Sequence, residues 1–154
     1  MNDSRDERTL IGWGMRLGLL ILAASALPVG LWALAAPRCF YEDFPAAGRH
    51  WVSALGPYNE HLISDVGAGY LALGVMLAAA GIFLGRTLVR VALIAWLTFA
   101  LPHFAFHLTT RETFSLADNL ASLGGLGLVV LLPLVLLAFT GRIQQPQGGR
   151  RWRE

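Results

Sequence analysis

The sequence predicts an all-α membrane protein, a bundle of four transmembrane helices with an amphipathic, aromatic loop between helices one and two. Composition is the first reason: AVILMFWYC supply 55% of the 154 residues and DEKR only 14%. That proportion excludes a disordered chain and leaves too little charge to cover a soluble domain of this size. Segmentation is the second reason, because four apolar stretches each reach the roughly 20 residues needed to cross a hydrocarbon core about 30 Å thick. Arginine placement is the third, as set out below. The one cysteine, Cys39, excludes an internal disulfide, and a net charge of +2 spread along the chain gives no nucleic-acid footprint.

The first span is expected over 12–36, where Leu17 to Ala36 carries no charge. It is too long for a secretory signal and lacks a small-residue cleavage site, so it reads as a true span. The others are expected over 64–85, 88–110 and 117–141, in a single membrane domain, with flexible tails over 1–10 and 143–154. Pro28, Pro102 and Pro133 fall inside spans and are expected to kink them. Gly14 and Gly18, Gly74 and Ala78, and Gly81 and Gly85 have the spacing that lets helices approach closely.

Arg5, Arg8 and Arg16 precede span one, Arg86 and Arg90 lie between spans two and three, and Arg142, Arg150, Arg151 and Arg153 follow span four. The positive-inside rule therefore predicts cytoplasmic N- and C-termini in a bacterial cytoplasmic membrane. The opposite side receives the loop from Pro37 to Ile63. There, Arg38 and Arg49 are balanced by Glu42 and Asp43. Its aromatics, Phe40, Tyr41, Phe44, Trp51 and Tyr58, suit the headgroup layer and predict a short interfacial helix or lid over the bundle mouth.

Under this topology the polar residues gather in one layer. Glu60, His61 and Asp65 stand at the outer end of span two, His103 and His107 in the outer half of span three, and Asp118, Asn119 and Ser122 at the start of span four. Ionisable groups in a bilayer are costly and usually face the bundle interior, so their convergence predicts a functional site. His61 with Asp65, and His103 with His107, are four residues apart and share a helix face. Together they form a three-nitrogen, one-oxygen set suited to zinc, iron or copper. Glu60 is expected as general base and Asp65 as a second catalytic carboxylate, with Asp118, Asn119 and Tyr70 supporting the ligands from behind.

Plainer roles stand beside these. Asn59 is a good N-cap that makes Glu60 a dipole partner, and Ser115 with Asp118 has capping-box spacing. The histidines could equally hydrogen-bond Asp65 and Asp118 and do nothing more.

Several stretches carry a resemblance: WALAAP from Trp32, FYEDFP from Phe40, GPYNEHL from Gly56, DVG from Asp65 and PHFAFH from Pro102. In these the chain resembles a family of small four-helix integral membrane proteins of actinobacterial type, over residues 17–140. The resemblance implies the four-span fold and carries no chemistry. A looser likeness to DoxX-like and EXPERA-type four-helix bundles is one of architecture.

Three functions follow as expectations. The first is a small membrane enzyme whose transition metal activates water or oxygen against a lipid-soluble substrate. The second is a metal-free acid/base isomerase or cyclase of a terpenoid or quinone-like molecule, with Asp65 as acid and His103 or His107 as base. The third is a non-catalytic accessory subunit. Membrane lipid, a hydrophobic small molecule and a second copy of the chain are the expected partners.

Overall fold

The computed structural model describes residues 3–46 and 48–143, with side chains from Thr9 onward. Helix α1 covers Asp3–Ala35, α2 Pro37–Asp43, α3 Glu60–Phe83, α4 Arg86–Thr109 and α5 Leu116–Phe139. Four of these, all but α2, are long and apolar enough to cross a membrane, and the protein is a multi-pass helical bundle. Two boundaries differ from expectation. The backbone is already helical at Asp3, within the stretch expected to be a tail, and α3 begins at Glu60 because the Asn59 side chain accepts the Leu62 N–H at 3.1 Å. Of the second expected tail, Ile143 is buried, and 144–154 lie outside the described residues.

The bundle is built from two helix pairs. Helix α1 packs most extensively on α3, and α4 on α5, while α3 meets α4 and α1 meets α5 over less surface. The α1–α3 seam follows from glycine placement. A Cβ added at Gly30 would lie 2.7 Å from the Leu71 nitrogen and 2.8 Å from the Gly67 carbonyl oxygen, so only glycine permits this approach. Gly67, Gly74 and Gly81, seven residues apart along α3, all face α1. Of the small-residue pairs read from sequence, Gly74 and Gly81 belong to this seam, Gly18 faces Leu136 of α5, and Gly14 has open space around it.

Helix α4 is held to α5 by the buried Trp96, whose indole N–H donates to the Val129 carbonyl at 2.7 Å. Pro28, Pro102 and Pro133 lie inside helices that continue through them. At the end of the bundle away from the long loop, arginines close the helix termini. Arg16 donates to the Gly81 and Ile82 carbonyls at the end of α3, and Arg86 to the Gly141 and Ile143 carbonyls beyond α5. Arg90 adds a hydrogen bond to the Thr140 hydroxyl. A cation at helix C-terminal carbonyls is stabilised by the helix dipole as well as by the hydrogen bond.

The loop end has its own small core. Phe40 of α2 is buried with Ala33 and Ile63, and its ring meets Trp32 edge-on at 5.7 Å and Phe44 at 4.8 Å. Of the short interfacial helix or lid expected from the loop's aromatics, a short helix is present, Pro37–Asp43. Arg38 pairs with Glu42 at 2.6 Å, as the charge balance of the loop suggested. Arg49 does not find Glu42 or Asp43: it crosses to Asp118 of α5 at 2.7 Å.

Candidate functional site

Beneath the loop, where the two helix pairs diverge, lie two adjoining cavities of about 340 and 290 Å³. Both touch Val29 of α1, Phe44 and Trp51 of the loop, Tyr70 of α3, and His103 and His107 of α4. The first extends between α3 and α4, past Ile63, Val66 and Phe106. The second extends toward α5, past Trp96, Ser122 and Gly125. Volumes of this size hold a drug-sized molecule. Among the described residues, no Asp, Glu or Arg lines either cavity.

The neck between the cavities is a chain of rings. Tyr70 meets Phe99 at 4.9 Å, Phe99 stacks on His103 at 5.4 Å, and His103 meets His107 edge-on at 4.8 Å. The His107 Nδ1 is 3.5 Å from the Ser122 hydroxyl, a long contact. Among the described residues, neither the Tyr70 hydroxyl nor a ring nitrogen of His103 has a hydrogen-bond partner. Neither group is fully enclosed by protein, so a bound molecule can reach and satisfy it.

The expected four-ligand metal set is not assembled. His103 and His107 line the cavities. His61 and Asp65 sit on the opposite face of α3, where they pair with each other at 3.2 Å with side chains 88% and 64% exposed. The helix turns 100° per residue, so Ile63, Val66 and Tyr70 occupy the cavity face and leave His61 and Asp65 outside it. Among the described residues, no three His, Cys, Asp or Glu side chains gather in a way that could hold a metal ion.

Glu60, expected as a base, is exposed and accepts a hydrogen bond from the Tyr58 hydroxyl at 3.2 Å. Desolvation, and then that hydrogen bond, raise the Tyr58 phenol above its ordinary pKa. Asn119 donates to the Arg111 and Phe114 carbonyls and so closes the turn before α5. Tyr70, expected behind the ligands, stands in the cavity wall itself.

Asp118 shows both a plain role and an unforeseen one. Ser115 caps α5 by accepting the Asp118 N–H at 3.2 Å, as the capping-box spacing predicts, and its hydroxyl donates to the Asp118 carboxylate at 2.6 Å. The same carboxylate receives Arg49 and the Trp51 indole N–H at 2.7 and 2.9 Å. It therefore latches the roof of the cavity to α5. Sequence reasoning took Trp51 as a headgroup anchor and missed this. The available signal was an acid at the start of span four with no basic partner on its own helix.

The chain matches no protein-family model, no curated protein and no solved structure.

Proposed function

We propose that this protein binds an uncharged, lipid-soluble small molecule in the paired cavities beneath its aromatic loop. The reading takes the loop side as the outer side of a bacterial cytoplasmic membrane and both termini as cytoplasmic, on the strength of the arginine placement. One observation carries it: a space of ligand size, lined by apolar and aromatic side chains with no formally charged residue among the described ones, and bordered by Tyr70 and His103, whose polar atoms have no hydrogen-bond partner among the described residues. A charged ligand would be left without a counter-charge there, whereas a neutral molecule with a few polar atoms is not.

The same groups define the chemistry the site is equipped for. A phenol can donate a proton and a neutral imidazole can accept one, so Tyr70 with His103 or His107 suits acid/base rearrangement of a terpenoid or quinone-like molecule. This keeps the metal-free reading of the sequence but moves the acid from Asp65, on the far face of α3, to Tyr70. Zinc, iron or copper chemistry lacks support from this geometry, because His103 and His107 are joined by neither His61 nor a carboxylate.

The test is extraction without detergent into polymer-bounded discs, followed by mass spectrometry of the organic extract. Val66 lines the first cavity, and Val66→Trp should fill it. A small molecule enriched with wild type and depleted about tenfold in Val66→Trp, a difference of about 1.4 kcal/mol, is expected. Identical extracts from the two proteins, both folded by circular dichroism, would overturn the proposal.

A further inference from the structure

The neck between the cavities specifies more than apolarity. We infer that the bound molecule carries a planar, carbonyl-bearing head held at the neck and an apolar chain that leaves between α3 and α4; this rests on the ligand reading above and narrows it.

The head follows from the neck. Phe99 and His103 stack on one another, and Phe44, Trp51 and Tyr70 line the same space, so the wall around the opening is largely aromatic. Flat rings fit against such walls by offset or edge-on stacking. The Tyr70 hydroxyl is a donor, and a neutral imidazole donates from one nitrogen. Both lack a hydrogen-bond partner among the described residues, and Tyr70 and His103 border both cavities. A carbonyl oxygen has two lone pairs and can accept from both groups at once. With no cation in the wall, an acceptor that bears no charge is favoured over a carboxylate or phosphate.

The chain follows from the rims. The first cavity reaches the bundle surface past Leu62, Val66 and Phe106, apolar side chains that are 59%, 40% and 49% exposed. A crevice with such edges is continuous with lipid chains, so an alkyl or isoprenoid tail can pass from pocket to bilayer without meeting a polar group. The second cavity is bordered by the hydroxyls of Ser25 and Ser122 and suits the head more than the tail.

Native mass spectrometry in lipid discs tests this with three probes at equal mole fraction: undecanophenone, undecylbenzene and acetophenone. Undecanophenone should bind wild type at one per chain, and undecylbenzene, which lacks the carbonyl, about 25-fold more weakly, the worth of two hydrogen bonds. Tyr70→Phe, which removes one of the two, should weaken undecanophenone about fivefold and leave undecylbenzene unchanged. Val66→Trp should exclude the long-chain ketone while acetophenone still binds.

Equal binding of undecanophenone and undecylbenzene, or indifference of the ketone to Tyr70→Phe, would overturn the carbonyl head. Loss of acetophenone together with the long ketone in Val66→Trp would overturn the chain path. Failure of all three probes, with an endogenous molecule still enriched by wild type, would end this ligand class and leave the binding function standing. Failure of both would end both.

Discussion

Helix α3 meets its two neighbours in opposite ways. Toward α1 it presents Gly67, Gly74 and Gly81 and closes to backbone contact at Gly30. Toward α4 it presents Val66 and Tyr70, which line an open cavity. One helix therefore carries a rigid seam and a vacant crevice on different faces. Association inside lipid has little hydrophobic drive and depends on close packing, so the bundle is held where side chains are smallest. The close seam and the unfilled interface lie side by side on one helix.

The largest expected effect is on the seam. Gly30→Leu drives a side chain into the backbone of α3 and should cost about 3 kcal/mol or more, the upper end for overpacking. A collapse of the folded fraction in size-exclusion chromatography and in denaturant titration would check it. Should Gly30→Leu fold as wild type does, close packing at the seam is not what holds the bundle together. Val66→Trp, on the other face of the same helix, should retain folding and lose the bound molecule, which sharpens the contrast.

A smaller effect is expected at the roof. Asp118→Asn removes the charge that holds Arg49 and weakens the contact with Trp51. The cost to global stability should be small, because the Arg49 side chain is half exposed and the pair is screened by solvent. Faster hydrogen exchange over residues 48–56, with α1 and α3 unchanged, would report the opened latch. The smallest effect belongs to His61→Ala, which breaks an exposed pair four residues apart and should change stability by no more than about 0.5 kcal/mol. Ligand content should not change. If His61→Ala emptied the pocket as Val66→Trp is expected to, the separation of the two faces of α3 would be wrong.

The histidine pairs show where sequence reading stopped. His61–Asp65 and His103–His107 have the same spacing and fall near the same end of the bundle, so each shares a helix face, as expected. Spacing says that two residues share a face and is silent on where that face points. Asn59 and Ser115 were legible as caps because capping is local, a side chain meeting a backbone N–H three residues on. The Arg49–Asp118 latch was not, because its partners are far apart in the chain and meet only when α5 packs beside the loop. Tyr70 was legible as an aromatic near the polar layer, but its place in the cavity wall was not.

The order of polar and apolar segments, fixed along the chain by the need to satisfy backbone hydrogen bonds inside lipid, was enough to determine four helices, their approximate ends and the aromatic loop. The rotation of each helix about its axis was decided by tertiary packing alone. Glycines on α3 turn one face against α1, and that rotation sends Tyr70 into the cavity and His61 and Asp65 outward. A span uniformly apolar around its circumference holds little information about its own rotation, so the composition of the site depended on which neighbour could approach most closely.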